Sequence, residues 1–209
     1  NHLKRMIKAK KVGHAGTLDP MAEGLMIVMI NDATKFSDDL MKKDKEYYVE
    51  LEMGYETDTY DAEGKITEKG NVNVSQDEVE SVINSFVGEI EQTPPMYSAI
   101  KINGEKLYDL ARKGIEVERK ARKIRINYIK DIKIDFSENK VSFYASVSSG
   151  TYIRSLVRDI GQKLGTFATM TKLVRTQIDK YYLKDAVTLS EIEKLLEQET
   201  VEENRDFVK

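Results

Sequence analysis

Residues 12–24 read Val-Gly-His-Ala-Gly-Thr-Leu-Asp-Pro-Met-Ala-Glu-Gly, so that Gly13, Gly16, Gly24 and Pro20 surround the carboxylate of Asp19. Glycine permits backbone that other residues resist, and proline pre-sets φ, which predicts a fixed, tight loop around Asp19. A carboxylate held rigidly there can serve as a nucleophile or as an acid/base group. Asp before Pro is also ordinary turn chemistry, so the motif has to be read with its surroundings. A second acidic cluster, Asp58, Asp61 and Glu63 before Gly64, has Tyr at position 60 and fails the alternate-residue pattern of an EF-hand loop. It reads as a polar turn that orders the wall of a site. Cysteine is absent and the only histidines are His2 and His14, so disulfides and thiolate metal sites are excluded and a histidine-built metal site is not expected.

The elements that must hold these residues follow from periodicity. Leu3–Val12 reads as the end of a basic helix running into the Gly13–Gly24 loop, and the apolar run Gly24–Ile30 as a strand buried on both faces. A short helix is predicted from Thr34 to Met41, capped by Thr34. Lys45–Met53 alternates, with Tyr47, Val49, Leu51 and Met53 on one face of a half-buried strand and Glu46, Tyr48, Glu50 and Glu52 on the other. The loop Tyr55–Gly64 leads to a short strand at Lys65–Glu68. Ser75 and Glu78 form a capping box ahead of the helical stripe Val79, Val82, Ile83 and Phe86. Gly88–Gln92 reads as strand.

Pro94-Pro95 opens a distinct unit. Tyr97–Ile102 extends to the turn pair Asn103-Gly104, followed by a basic helix, Glu105–Lys113, ended by Gly114. With little apolar surface of its own, this unit is expected to project from the body. Ala121–Phe136 reads as a long strand or strand pair carrying Ile124, Ile126 and Tyr128 on one face. Val141–Val147 alternates again. Ile153, Leu156, Val157, Ile160 and Leu164 mark a helix closed by Gly165, Thr169–Ile178 reads as strand, and Thr188 with Glu191 caps a last helix. Strands in hairpin-like succession give an α+β class with a mainly antiparallel sheet.

At 209 residues, with 40 % hydrophobic and 33 % charged content, the composition is that of a soluble globular protein, with no run long enough for a membrane span. The net charge is −3, but residues 1–20 hold five Lys/Arg against one acid and residues 101–130 hold ten against four. Residues 191–209 hold seven acids and three bases. Two basic segments on an acidic background predict an electropositive face for phosphates. The absence of cysteine fits a reducing, cytoplasmic setting. The chain opens on Asn1 rather than Met, inside a basic stretch, as expected of a fragment or of a trimmed numbering.

Taken in order, five segments resemble the TruB family of pseudouridine synthases: Gly13–Gly24; Lys45-Glu-Tyr47-Tyr-Val49 with Thr57-Asp-Thr-Tyr-Asp61-Ala-Glu-Gly64; Pro94-Pro-Met-Tyr-Ser-Ala-Ile-Lys101 through Arg122; Ser149-Gly-Thr-Tyr-Ile-Arg154-Ser-Leu; and Leu173-Val-Arg175. The resemblance covers roughly residues 1 to 190. It implies a single catalytic domain over 1–209 with a bent, mainly antiparallel sheet flanked by helices. It also implies an RNA-gripping insertion at about 94–122 and a C-terminal helix with an acidic tail at 188–209. Members normally begin with a strand and a Lys-Pro loop, and bacterial members carry a C-terminal PUA-type domain; neither is expected here.

The implied reaction isomerises uridine 55 in the tRNA T-loop to pseudouridine, on a flipped base, without metal or cofactor. No protein partner and no membrane are implied, and a monomer is expected. The resemblance assigns the nucleophile to Asp19, whose carboxylate attacks C1′ or C6, or assists loss of the 2′ proton; carboxylates attack glycosidic carbons in sugar hydrolases. Arg154 is implied as its bidentate partner, and Tyr47 as the ring that stacks on uracil and handles the C5 proton. His14 is implied to fill the space of the departed base, with Gly16 and Thr17 beside it and Leu173 lining the uracil pocket. Tyr97, Lys101, Lys106, Arg112, Lys113 and Arg119 interleave aromatic and basic character, which suits a folded RNA loop. The rivals are a dyskerin-like synthase guided by a separate RNA, a non-catalytic tRNA-binding or folding protein, and a metal-dependent phosphodiesterase.

Overall fold

The computed structural model describes residues 2–102 and 104–206, with side chains as far as Gln198. Asn103, half of the expected turn pair, lies outside the described residues. The order of elements is α1 (His2–Met6), β1 (Val12–His14), β2 (Glu23–Gly24), β3 (Val28–Ile30), a 3-10 turn (Asn31–Phe36), α2 (Ser37–Met41), β4 (Lys45–Met53), β5 (Tyr55–Thr57), β6 (Ile66–Lys69), α3 (Gln76–Asn84) and β7 (Gly88–Gln92). Then follow β8 (Lys101–Ile102), β9 (Glu105–Lys106), α4 (Leu107–Arg112), β10 (Arg122–Asp135), β11 (Lys140–Val147), α5 (Ile153–Leu164), β12 (Ala168–Ile178), β13 (Tyr181–Tyr182), a 3-10 turn (Leu183–Asp185) and α6 (Leu189–Asp206).

The main sheet runs β13-β12-β4-β11-β10-β7, antiparallel throughout, with β2 paired in parallel to β12. Its centre is the cleanly alternating strand: β4 pairs β12 on one side and β11 on the other, and buries Val49, Leu51 and Met53. Against that face pack Val79 and Ile83 of α3 and Ile153, Leu156, Val157 and Ile160 of α5. Register shifts in β10, between Ile126 and Tyr128 and between Lys130 and Lys133, and two more in β12 are the bulges that bend such a sheet. The α+β class, with a mixed sheet and helices on it, is as expected.

Several local expectations are corrected. Gly24–Ile30 is not one doubly buried strand: Glu23–Gly24 borrows β12, while Val28–Ile30 pairs with β1 in a separate ribbon that leaves Ile30 exposed. The predicted Thr34 cap fails because the turn starts three residues earlier. Asn31 takes φ 52°, its side chain accepts from the Lys10 and Lys11 amides, and Thr34 only donates back to the Asn31 carbonyl. Tyr55–Thr57 is strand, not loop. The bulge after Ile126 turns Tyr128 away from the face of Ile124 and Ile126, so it stands exposed.

The insertion also has a small core that the sequence hid: Met96, Leu107 and Leu110, with Tyr97, Ile100, Ile102, Ala111 and Val117 around them. Its helix is shorter than expected, beginning at Leu107. Both capping boxes form as predicted, Ser75 with Glu78 and Thr188 with Glu191.

Candidate active site

The Asp19 loop is drawn into the body at both ends. Ala15 donates to the Ile27 carbonyl, and Leu25 donates to the Arg175 carbonyl on β12. Gly24 sits at φ 109°, and a Cβ there would lie 2.4 Å from the Arg175 carbonyl oxygen, so only glycine permits this approach. Within the loop, the Ala22 amide closes a turn on the Asp19 carbonyl, 2.9 Å away.

Arg154 meets Asp19 from the first turn of α5. Gln92 fixes the entry to that helix, donating to the Tyr152 carbonyl and accepting from the Tyr152 amide. The guanidinium grips the carboxylate with both arms, Nε to Oδ2 at 2.8 Å and Nη2 to Oδ1 at 2.9 Å. Nη1 donates to the Thr59 carbonyl at 3.0 Å and Nη2 also to the Tyr97 carbonyl at 2.9 Å. The second carboxylate, Asp61, stands 3.6 Å from Nε and is itself held by Thr59 Oγ1 and the Glu63 amide. The acidic turn that sequence reading took for a site wall is thus the back wall of the arginine's socket. Arg154 is 5 % exposed, whereas the Asp19 side chain keeps 30 % of its surface open. The charge is buried and anchored; the carboxylate still faces outward.

Tyr47 projects from β4 toward this loop and is packed against the main core. Burial pushes its phenol above the usual value; the Arg175 guanidinium acts in the opposite sense and Asp19 in the same one. Arg175 is 1 % exposed, with Nε donating to the Leu25 carbonyl at 2.7 Å and Nη2 reaching the Gly16 carbonyl at 3.4 Å. Arg175 enters the family resemblance only as the end of Leu173-Val-Arg175, with no role attached.

Of the other predicted residues, Gly16 takes φ 95° and Thr17 is exposed beside it. His14 is exposed at the end of β1, opposite Val28. Leu173 is buried opposite Val49 and belongs to the main core. Tyr97 joins the site through its carbonyl on Arg154, which ties the root of the insertion to the Asp19 pair.

On the insertion itself Lys101, Lys106, Arg112 and Lys113 line a shallow depression of about 540 Å³. Lys106 and Arg112 lie over the Tyr108 ring at 5.1 and 5.4 Å, so Tyr108, which sequence reading missed, organises this basic patch. Arg119 is not part of that surface. It is largely buried and donates to the Pro94 carbonyl, closing the base of the insertion.

Among the described residues no cluster of His, Asp and Glu could hold a metal ion, and no helix is long and apolar enough to cross a membrane.

The fold resembles that in "Crystal Structure of a Cbf5-Nop10-Gar1 Complex" with a TM-score of 0.70 at 28 % identity, over 92 % of this chain and 48 % of that one. "Structure of H/ACA RNP bound to a substrate RNA containing 2'-deoxyuridine" gives a TM-score of 0.65 at 26 % identity, over 92 % and 47 %.

Family models divide the chain at the start of α5. The model of the TruB family pseudouridylate synthase N-terminal domain matches residues 4–153, and that of the tRNA pseudouridylate synthase B C-terminal domain matches 154–209. The chain belongs to the TruB family of pseudouridylate synthases. The tRNA pseudouridine synthase B of Fusobacterium nucleatum is 54 % identical over 182 residues, 87 % of this chain and 63 % of that protein. That of Aquifex aeolicus is 46 % identical over 189 residues, 90 % and 66 %. The chain spans just under two thirds of the length of these two relatives.

Proposed function

We propose that this chain carries the catalytic centre of a tRNA pseudouridine synthase, one that isomerises uridine at position 55 of the T-loop and acts alone as a monomer. The observation that supports this reading best is the two-armed clamp of Arg154 on Asp19. A bidentate arginine fixes the direction of the carboxylate, while the open side of the same carboxylate faces the space where a flipped nucleotide would lie. With four hydrogen bonds to three segments, the guanidinium has little freedom to follow a moving substrate. The nucleophile therefore meets the sugar or base already aimed.

In this reading uracil leaves the T-loop stack, at a cost of a few kcal/mol, and lies against the Tyr47 ring. Asp19 reacts at C1′ or C6, or assists loss of the 2′ proton. The base detaches, turns and is rejoined through C5, and the Tyr47 hydroxyl handles the C5 proton. His14 occupies the vacated position in the RNA, and the Lys106–Arg112–Lys113 patch takes T-arm phosphates.

The guided alternative is represented by solved structures titled as ribonucleoprotein and Nop10–Gar1 complexes at 26–28 % identity. The relatives at 46–54 % identity are named for tRNA instead, and they support the unguided reading. Pseudouridine formation on a bare T-arm hairpin is the test. Turnover without any guide RNA is expected. Turnover that appears only when a guide is added would favour the alternative, and none under either condition would sink both.

A further inference from the structure

We propose that Arg175 is a positioning residue of this site, which orients the Tyr47 hydroxyl toward the target base and locks it to the Asp19 loop. This inference rests on the proposed function. Arg175 reaches three parts of the site at once. Its main chain pairs with Gly24 and accepts from Leu25, its Nε donates to the Leu25 carbonyl at 2.7 Å, and its Nη2 points at the Gly16 carbonyl at 3.4 Å. Nη1 lies 3.7 Å from where a Cβ of Gly16 would stand. The register places Arg175 directly across from Tyr47 on β4, close enough that the guanidinium draws the phenol's pKa down against the upward push of burial.

The donor inventory decides what this contact does. A guanidinium has only N–H groups and accepts nothing. Toward Arg175 the phenol oxygen can therefore only accept, and its own hydrogen must point elsewhere. The other titratable groups acting on this pair are Asp19 on the loop and Lys45 on β4. Lys45 comes close to the same spot, its Cε 3.9 Å from where a Cβ of Gly16 would stand, but its Nζ is engaged by the Met41 and Lys43 carbonyls at 2.9 and 2.6 Å.

Among the described residues no carboxylate forms an ion pair with Arg175, although its side chain is almost wholly buried. A purely structural tie to two carbonyls would be served by a neutral donor without the cost of burying a charge. The charge has a use if it steadies the phenol oxygen while Tyr47 exchanges a proton with the substrate.

The experiment pairs Arg175→Lys with Tyr47→Phe in single-turnover assays and adds fluorotyrosine at position 47, whose fluorine NMR shift reports ionisation. Arg175→Lys is expected to slow pseudouridine formation by about tenfold or more, as a misplaced reacting group does, with T-arm affinity held within about twofold. In the Tyr47→Phe background the same change should cost nothing further. Losses that multiply in the double variant would overturn the proposal, because Arg175 would then act independently of the hydroxyl.

Removing the charge with Arg175→Gln should raise the fluorotyrosine midpoint by about one pH unit, the order expected for losing a neighbouring opposite charge. Arg175→Lys should leave the midpoint nearer the wild type. An unmoved midpoint in a folded Arg175→Gln protein would overturn the proposal, and if that variant does not fold, the cycle with Arg175→Lys decides. A wild-type chain that makes no pseudouridine would defeat the proposed function alone, since the NMR titration still tests the contact.

Discussion

Asp19 and Arg154 divide the work of one ion pair unequally. The arginine is sealed behind Thr59, Asp61 and Tyr97, whereas the carboxylate stays partly open. Asp19→Asn keeps the size and most of the hydrogen bonding but removes the nucleophilic charge. Turnover on the T-arm hairpin should fall below detection while the hairpin remains bound, measured by filter binding beside a pseudouridine assay. Near wild-type turnover would remove the basis of the assignment, because the other carboxylate described against Arg154, Asp61, is buried. Arg154→Lys keeps a charge but loses the fork, and it leaves the Thr59 and Tyr97 carbonyls short of donors. Turnover should drop by about a hundredfold, the scale on which misplaced catalytic groups are felt, with binding much less affected.

The two halves of this pair were readable from the sequence because each sits in a dense motif, one glycine-rich and one opening a helix. Arg175 was not readable in the same way. Its partners are the carbonyls of Gly16 and Leu25, some 150 residues distant along the chain, and backbone acceptors leave no trace in residue types.

At the scale of elements, legibility followed how much of the burial was local. β4 was read to the residue because its strict alternation matches a strand with one face in the core. Gly24–Ile30 was misread because β2 is defined by a parallel contact with β12, which no local pattern encodes. The insertion was read as having little apolar surface because Met96, outside the helix, joins Leu107 and Leu110 of α4 only in three dimensions.

Two elements then carry predictions. α5 is pressed onto β12 at Gly161, where a Cβ would lie 2.2 Å from the Ala168 amide nitrogen and 2.4 Å from the Phe167 carbonyl carbon. Backbone cannot step aside as a side chain can, so Gly161→Ala should destabilise the fold by roughly 1–3 kcal/mol. It should also lower turnover by shifting Arg154, both visible in a denaturant titration run beside the activity assay. The insertion's basic patch predicts salt dependence. Each phosphate contact contributes about −0.7 to −0.9 to the log–log slope of affinity against salt. Lys106→Ala, Arg112→Ala and Lys113→Ala combined should therefore flatten that slope by up to about 2–2.7 units, and an unchanged slope would move the RNA path off the insertion.

Across the whole molecule, the sheet face turned away from α3 and α5 has its own fastening, centred on Glu46. Its carboxylate accepts from Tyr128 at 2.5 Å and pairs with Lys130 at 2.8 Å, both on β10, and accepts from Thr176 on β12 at 2.8 Å. One side chain on β4 therefore bridges strands on either side of it, reaching over β11, directly behind the strand that presents Tyr47. Partial burial pushes the Glu46 carboxyl upward, but Lys130, Tyr128 and Thr176 together outweigh it and hold the group below its ordinary value. An acid depressed on folding lends stability that is fully present above its unfolded value of about 4.3 and is lost as pH falls through the folded value. Glu46→Gln should accordingly lower stability at neutral pH by about 1 kcal/mol, a figure kept small because its partners Lys130 and Tyr128 are exposed to solvent that screens them. The gap between variant and wild type should close as the pH is taken below about 4. Thermal melts of both proteins across that range measure it. A gap that stays constant with pH would mean that Glu46 acts through packing alone, and that the charge on this face does not hold the strands behind the site together.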